Sequence, residues 1–205
     1  MAAAFVKPID LDGFETKFKV SSDPWNYRTS AFEAMKRRTL LRACGPQRLG
    51  RGLELACAIG ENSRALASRC LTLVATDGAP TALETARRLT PHDARIDYRH
   101  GVLPGGIPGG PFDLIVVSEI AYYLSPLDLA ALGQRMMQSL APGGRIVVLH
   151  HVVPFDDAAQ LPALAQARLC RMFARSMLRV LDQRHGRYAV AAFRRRVRPS
   201  KVPRA

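Results

Sequence analysis

Several features that would assign a chain to a class are missing from this sequence of 205 residues. No apolar run reaches the roughly 18 residues of a membrane-spanning helix. The opening ten residues lack the apolar core of an export signal. The four cysteines form no CxxC pair and have no zinc-ligand spacing with histidine, so we expect no metal site. These absences predict a reduced, cytoplasmic protein that does not bind membranes.

Acidic residues are also scarce, with 17 against 30 basic ones, and the formal net charge is +13. The central residues 51–150 hold nine acidic and nine basic side chains, whereas 151–205 hold three and twelve. The basic charge therefore lies in the flanks, mainly after residue 150. It is compatible with a nucleic-acid partner, with an acidic substrate or with a solvated arginine-rich surface.

Apolar runs alternate with helical patterns through the central block. The runs lie at 51–57, 71–77, 96–99, 112–118 and 145–150, and the helical patterns between them at 61–69, 80–89 and 127–140. Strands that are apolar on both faces and alternate with helices predict a parallel sheet covered on both sides. We therefore expect a doubly wound α/β fold whose ligand lies at the carboxyl ends of the strands.

The flanks predict further elements. Ser30 and Glu33 form a capping box for a helix that ends before Gly45. Residues 160–180 have a helical composition, and 188–193 are a strand candidate. The helical composition of 160–180 would place four arginines on one face of a single helix: Arg168, Arg171, Arg175 and Arg179. We divide the chain into an N-terminal helical cap or lid (1–50), a ligand-binding domain (51–196) and a basic tail (197–205).

The strongest chemical signal follows the first apolar run. Small residues at 56–60 connect that run to a helix, which lets the backbone approach a ligand closely. Asp77 stands about twenty residues later, at the end of the second run, where a carboxylate accepts hydrogen bonds from ribose hydroxyls. The spacing is not GxGxxG, so the pattern indicates an adenosine ligand other than a dinucleotide.

These residues resemble the motifs of class I S-adenosylmethionine-dependent methyltransferases. The motifs stand here as 54–60, Asp77 and the Leu-Ala-Pro-Gly-Gly of 140–144. The resemblance implies a Rossmann-like, mostly parallel sheet of seven strands and S-adenosylmethionine as the cofactor. Two segments, 23–33 and 112–124, are similar to the rhizobial nodulation N-methyltransferases, which methylate the free amine of a deacetylated chitooligosaccharide.

The resemblance covers about residues 23–196 and implies a set of cofactor contacts. They are Trp25, Arg28, Glu54, Ala56, Cys57, Gly60, Asp77, Gly78 and Ser118. Ala56 and Ala58 replace glycines of the family motif, and a positive φ there would cost about 1 kcal/mol each. The segment 99–102 lacks the acidic residue that many members place beside adenine. A backbone group or His100 is then the substitute.

Three residues near the strand ends are candidates for catalysis: Glu119, His151 and Tyr122. Glu119 follows a strand too apolar to carry an idle carboxylate, and we expect it to attract an ammonium group and accept its proton, with a histidine as the second candidate. It is also interpretable as a solvent-facing helix start. His150 and His151 end the fifth run; one of them points toward the ligand, and we favour His151. Tyr122 is compatible with a site wall or with core packing. Trp25 is compatible with a lid over the cofactor or with packing against the next helix.

The sequence therefore predicts an S-adenosylmethionine-dependent enzyme that methylates the amine of a small polar acceptor. The resemblance of 112–124 makes an amino sugar or glycan the first choice. Two alternatives stay open: an RNA or nucleoside methyltransferase that uses the basic C-terminal segment, and a non-catalytic protein with a methyltransferase fold. Either a monomer or a homodimer is compatible with the sequence.

Overall fold

The computed structural model describes residues 8–91 and 94–197, and seven strands form its single sheet. The strands are β1 (Leu49–Leu55), β2 (Cys70–Asp77), β3 (Ile96–His100), β4 (Phe112–Ser118), β5 (Leu140–His151), β6 (Met177–Arg184) and β7 (Tyr188–Arg195). The helices are α1 (Leu11–Val20), α2 (Ala31–Ala43), α3 (Glu61–Leu66), α4 (Pro80–Arg88), α5 (Pro126–Ser139) and α6 (Pro162–Ala174). None of the helices within these two ranges has the length and apolar character needed to cross a membrane.

The strand order is β3-β2-β1-β4-β5-β7-β6. Strands β1 to β5 run parallel, and β7 is antiparallel to both β5 and β6. The order reverses between β1 and β4, which is the point where open α/β sheets bind their ligands. The predicted doubly wound, mostly parallel fold is therefore confirmed.

Both faces of the sheet are covered, because alternate residues of the central strands point to opposite sides. Ile115 and Val117 of β4 pack with side chains of α5 and α6. Leu114 and Val116 pack on the other face with Leu40 of α2. The side chains of these four β4 residues are fully buried, which explains why this strand is a continuous apolar run.

The predicted helix over 160–180 is wrong beyond Ala174. Helix α6 ends at Ala174, and the chain then turns into strand β6, which pairs with β7. The residues of β6 have helix-compatible composition, but pairing with a neighbouring strand overrides local propensity. The arginine stripe is consequently divided: Arg168 and Arg171 lie on α6, whereas Arg179 lies on the edge strand.

Helix α1 is an element that the sequence analysis missed. Asp10 caps it by accepting a hydrogen bond from the Gly13 N–H at 3.0 Å. Glu15 then joins α1 to α4, accepting hydrogen bonds from the Thr81 hydroxyl at 2.5 Å and the Thr81 N–H at 3.2 Å. The first strand begins at Leu49, two residues before the predicted boundary at 51. The predicted tail 197–205 lies outside the described residues, apart from Val197.

Candidate functional site

A cavity of about 720 Å³ lies at the carboxyl ends of the parallel strands, where the fold predicts a ligand. That volume is typical of sites for small molecules and cofactors. The residues at the strand ends that line it are Ala56, Asp77, Gly78, Gly101, Ser118, Glu119 and His151. Side chains of α1, α2 and the segment between these helices line it from the opposite side.

The turn after β1 has the backbone shape of a ligand cradle. Ala56, Ala58 and Gly60 have positive φ angles of 57°, 48° and 77°. Two alanines therefore occupy the left-handed region, which favours glycine and costs a side chain about 1–2 kcal/mol. A side chain at Gly60 would overlap the Tyr98 hydroxyl, so this position requires glycine for space as well.

Asp77 fixes the position of that turn and also faces the cavity. Its Oδ2 accepts a hydrogen bond from the Ala58 N–H at 2.7 Å, and its Oδ1 accepts one from the Ala79 N–H at 2.8 Å. Burial raises the pKa of Asp77, and the two N–H groups oppose that shift. Each carboxylate oxygen has a second lone pair, so the group fits two ribose hydroxyls.

Six of the nine predicted cofactor residues line the cavity: Trp25, Ala56, Cys57, Asp77, Gly78 and Ser118. The other three do not. Glu54 is buried beneath the turn, where the Ser63 hydroxyl donates to it at 2.5 Å and burial raises its pKa to about 8. Gly60 shapes the turn from behind. Arg28 is exposed, with its backbone N–H bound to Asp23 at 3.0 Å.

His100, a candidate substitute for the missing adenine carboxylate, does not line the cavity. Its Nε2 lies 3.1 Å from the Gly78 carbonyl oxygen. Gly101, Val102 and Leu103 line this part instead. The wall after β3 is therefore backbone and apolar side chains, which suit the flat face of a purine.

Glu119 is the centre of a buried polar network at the end of β4. Its φ of 58° is in the left-handed region, an uncommon conformation for a residue with a side chain. Its Oε2 accepts hydrogen bonds from the Tyr122 hydroxyl at 2.5 Å and from the His151 N–H at 2.9 Å. Its Oε1 lies 2.5 Å from Nζ of Lys36, on α2.

Lys36 is a site residue that the sequence analysis missed. It also contacts Glu33 at 2.9 Å, and its side chain is only 8% exposed. A sequence signal exists, because Phe32, Lys36 and Leu40 are four residues apart and share one helix face. A lysine between two apolar residues on an inward face needs a charged partner, since an unpaired buried charge is costly.

Lys36 and Glu119 each hold the other in its charged form. Burial raises the pKa of Glu119, but Lys36, His150 and the hydrogen bonds outweigh it, so that pKa lies below its ordinary value. Burial lowers the pKa of Lys36, but the carboxylates of Glu119 and Glu33 outweigh that effect, so the pKa lies above its ordinary value. Glu119 is therefore a carboxylate at neutral pH, and a weaker base than a free glutamate.

The structure distinguishes the two adjacent histidines. His150 is fully buried, with Nδ1 2.6 Å from the Gln166 side-chain oxygen, and it does not line the cavity. His151 does line it, and burial lowers its pKa, so its imidazole is neutral at pH 7. Tyr122 combines both expected roles, because it lines the cavity and packs 5.0 Å from the Phe155 ring.

Aromatic side chains form the cavity's outer wall, here called the roof and defined as Phe14, Phe18, Trp25 and Tyr27. Trp25 lies 5.6 Å from the Phe18 ring and 5.8 Å from the Tyr27 ring. Gly78 allows helix α1, which carries Phe14 and Phe18, to approach the sheet, since a Cβ there would lie 2.7 Å from Leu11. Trp25 therefore both packs on its neighbours and covers the cavity.

The comparisons with known proteins agree with this geometry. The profile of the family described as nodulation protein S (NodS) matches residues 12–192. The chain belongs to the NodS family. Nodulation protein S of Rhizobium tropici is 29% identical over 153 residues, covering 69% of this chain and 63% of that protein. The protein of Sinorhizobium fredii is 32% identical over 133 residues, covering 62% and 60%. This chain thus spans about six tenths of the length of these curated relatives.

Solved structures show the same fold. N-methyltransferase NodS of Bradyrhizobium japonicum WM9, in complex with S-adenosyl-L-homocysteine, superimposes with a TM-score of 0.77 at 23% identity, covering 91% of this chain and 99% of that one. A protein of Pseudomonas syringae described as a putative methyltransferase gives 0.70 at 30% identity, covering 81% and 100%. The NodS-family fold is thus that of the class I S-adenosylmethionine-dependent methyltransferases. Among the residues that the structure describes, no group of three or more metal-ligating side chains is assembled.

Proposed function

We propose that this protein is an S-adenosylmethionine-dependent N-methyltransferase whose acceptor is the amine of a small polar molecule. An amino sugar or a deacetylated chitooligosaccharide is the first acceptor that we propose. One observation carries the proposal: residues 56–58 of the turn and Asp77 line the same cavity as a charged Glu119 and a neutral His151. Membership of the NodS family supports it.

The cavity residues fit the cofactor that this function requires. Asp77 would accept hydrogen bonds from the ribose, and backbone of the turn would lie against the rest of the ligand. The apolar segment 101–103 would hold the adenine. When bound, S-adenosylmethionine supplies a methyl group activated by its sulfonium. The roof would exclude water, which strengthens electrostatic interactions inside the cavity.

Side chains of the cavity would accept the proton of the acceptor and stabilise its charge. An amine must be neutral when it attacks, and a neutral imidazole at His151 would accept the ammonium proton. Glu119, kept ionised by Lys36, would stabilise the positive charge that the nitrogen gains. The Tyr122 hydroxyl and the His151 N–H fix the direction of that carboxylate. Positioning of this kind accounts for a large part of the rate in such displacements.

The charge of the cavity wall also supports a cationic acceptor. Six carboxylates line it, namely Asp10, Glu33, Glu61, Asp77, Glu119 and Asp157. Three cations line it, namely Lys36, Arg37 and Arg187. A site with excess negative charge attracts an ammonium and repels an anion of similar size. The wall is thus opposite in sign to the chain as a whole, which carries +13.

The test begins with calorimetric titration of S-adenosylhomocysteine and continues with methyl transfer to matched acceptors. A deacetylated chitooligosaccharide is compared with its fully N-acetylated form, which has no free amine, and with RNA. Binding plus transfer to the deacetylated form alone would support the proposal. Transfer to RNA would favour the nucleic-acid alternative, and absence of cofactor binding would favour a non-catalytic role.

We also propose a cytoplasmic location, supported by the state of the cysteines. All four are free thiols. Burial raises the pKa of Cys44 to about 12 and those of Cys70 and Cys170 to about 11, so these thiols are protonated and unreactive at neutral pH. A thiol reagent added to the folded protein should therefore react slowly, and much faster in denaturant.

A further inference from the structure

The three cations that line the cavity differ in their partners. Lys36 is neutralised by Glu33 and Glu119. Arg37 lies 3.6 Å from a carboxylate oxygen of Glu61. Arg187 has neither an ion pair nor a side-chain hydrogen bond with any residue in the ranges 8–91 and 94–197. It is thus a charged group that faces the cavity with its donors uncommitted.

Two contacts hold Arg187 in place without using those donors. Its carbonyl oxygen accepts a hydrogen bond from the Val152 N–H at 2.9 Å, which fixes the turn between β6 and β7. Its guanidinium carbon lies 3.7 Å from the centre of the Phe32 ring. Phe32 is in turn packed edge-on to the buried Tyr188 at 5.9 Å. Stacking occupies the face of a guanidinium and leaves the N–H groups at its edge free.

Arg187 also lies close to the proposed proton acceptor. Strands β5 and β7 pair His151 with Tyr188, the residue after Arg187. The positive charge of Arg187 adds to burial in lowering the pKa of His151. One small molecule would therefore span both residues, with an anionic group at Arg187 and an amine that transfers its proton to His151.

We propose that Arg187 forms a subsite for an oxyanion, and that the protein prefers amine acceptors that also carry a carboxylate, phosphate or sulfate over the same amines without one. The amine half of this statement rests on the proposed function, whereas the anion subsite stands on Arg187 alone. A planar guanidinium binds any of these groups through two parallel hydrogen bonds. Among the proposed amino sugars, those with an acidic substituent are thus the preferred class.

The distribution of charge would orient such an acceptor. Five of the six carboxylates that line the cavity are buried or half-buried, where they favour the ammonium end, whereas Arg187 is exposed. The reversed orientation would place the anion against Glu119 and the amine against Arg187, and like charges in contact are unfavourable. Arg187 therefore selects both the acceptor and the direction in which it enters.

The first experiment measures anion binding without any turnover. Inorganic phosphate and sulfate are titrated calorimetrically into the protein saturated with S-adenosylhomocysteine, or into the protein alone if that ligand does not bind, at constant ionic strength. Arg187→Gln should weaken binding roughly tenfold to a hundredfold, the range expected when charge-assisted hydrogen bonds are lost. Arg187→Lys keeps the charge without the planar fork and should be intermediate. Arg184→Gln, an exposed arginine on β6 outside the cavity, is the matched control and should bind as the wild type.

The second experiment identifies the anion with three matched amines: glucosamine, glucosamine 6-phosphate and the corresponding C6 carboxylate. The wild type should prefer at least one anionic amine by about tenfold or more in kcat/KM, mostly through KM, and Arg187→Gln should abolish that preference. The better of the two anionic amines distinguishes phosphate from carboxylate.

The outcomes separate this inference from the proposed function. Equal phosphate affinity in the wild type and Arg187→Gln, or a wild-type preference for the neutral amine, would overturn the subsite. Anion binding that depends on Arg187, together with no transfer to any amine, would retain the subsite and overturn the N-methyltransferase proposal.

Discussion

Nζ of Lys36 lies 2.5 Å from Oε1 of Glu119, so a buried ion pair connects helix α2 to the end of strand β4. The lysine side chain is 8% exposed and the glutamate 16%, which places the pair largely out of water. Removal of one partner from such a pair leaves an uncompensated charge. The N-terminal helices and the strand-end carboxylate therefore depend on each other.

Lys36→Met should reduce the free energy of unfolding by about 3–5 kcal/mol at pH 7, because Glu119 is then a buried, unpaired carboxylate. Urea denaturation measures this loss. Lys17→Met is the matched control, since Lys17 is 43% exposed and 3.5 Å from Asp157, and an exposed pair contributes at most about 1 kcal/mol. A loss as small as that of the control would contradict the role given to Lys36.

The pH dependence of the Lys36→Met variant should have the opposite sign to that of the wild type. In the wild type the pKa of Glu119 is lowered in the folded state, so its contribution is present at neutral pH and is lost as pH falls through that pKa. Without Lys36, burial raises the pKa of Glu119 above its unfolded value. The penalty should then be full above the raised pKa, should shrink as pH falls through that pKa, and should be absent below the pKa of the unfolded state. The double variant with Glu119→Gln should recover part of the stability.

Asp77→Ala should weaken binding of S-adenosylhomocysteine by about 1–3 kcal/mol, the range for charge-assisted hydrogen bonds. Titration calorimetry measures the loss. Asp97→Ala is the control, because Asp97 is exposed on β3, pairs with Arg99 and does not line the cavity. Asp77 also fixes the turn through Ala58 and Ala79, so circular dichroism should first verify that the variant is folded. Affinity equal to that of the wild type would refute the ribose assignment.

Ala56→Gly should raise the free energy of unfolding by about 1 kcal/mol, because glycine relieves the positive φ of 57°. Ala65→Gly is the control, since Ala65 lies in α3, where glycine costs about 1 kcal/mol. The two substitutions change the same atoms, yet their effects on stability should have opposite signs. If Ala56→Gly destabilises the protein as Ala65→Gly does, the turn does not have the conformation described.

The cofactor turn and the central strands were predictable from sequence, because both depend on neighbours along the chain. Small residues after an apolar run and an acid at the end of the next run were enough to place Asp77 at the ligand edge. The pairing of Lys36 with Glu119 was not predictable, because the two residues are 83 positions apart. Strand β6 was missed for a related reason, since its pairing with β7 decides its conformation and its composition does not.

The roof should close more firmly when the cofactor site is filled. Trp25 is the only tryptophan of the chain and lines the cavity, so S-adenosylhomocysteine should change its fluorescence, and Trp25→Phe should remove that signal. Ligand should also slow tryptic cleavage at Lys19, which lies in α1, and at Arg28, which lies between α1 and α2. Cleavage at equal rates with and without ligand would leave Trp25 with a packing role only.

The last prediction separates the roles of Glu119 and His151. Glu119→Gln keeps the shape of the side chain and removes its charge, so turnover should fall by about 10²–10³, the range for loss of one group that stabilises charge, while cofactor affinity stays near that of the wild type. His151→Gln should also lower turnover. In the wild type the rate should rise with pH through the pKa of His151, which burial places below 6.5, because only neutral imidazole accepts a proton. This acidic limb should be missing in His151→Gln, where only the titration of the acceptor's own amine is left, and present in Glu119→Gln. A limb that persists at the same pH in His151→Gln would identify another group as the base, and unchanged turnover in Glu119→Gln would make that residue structural.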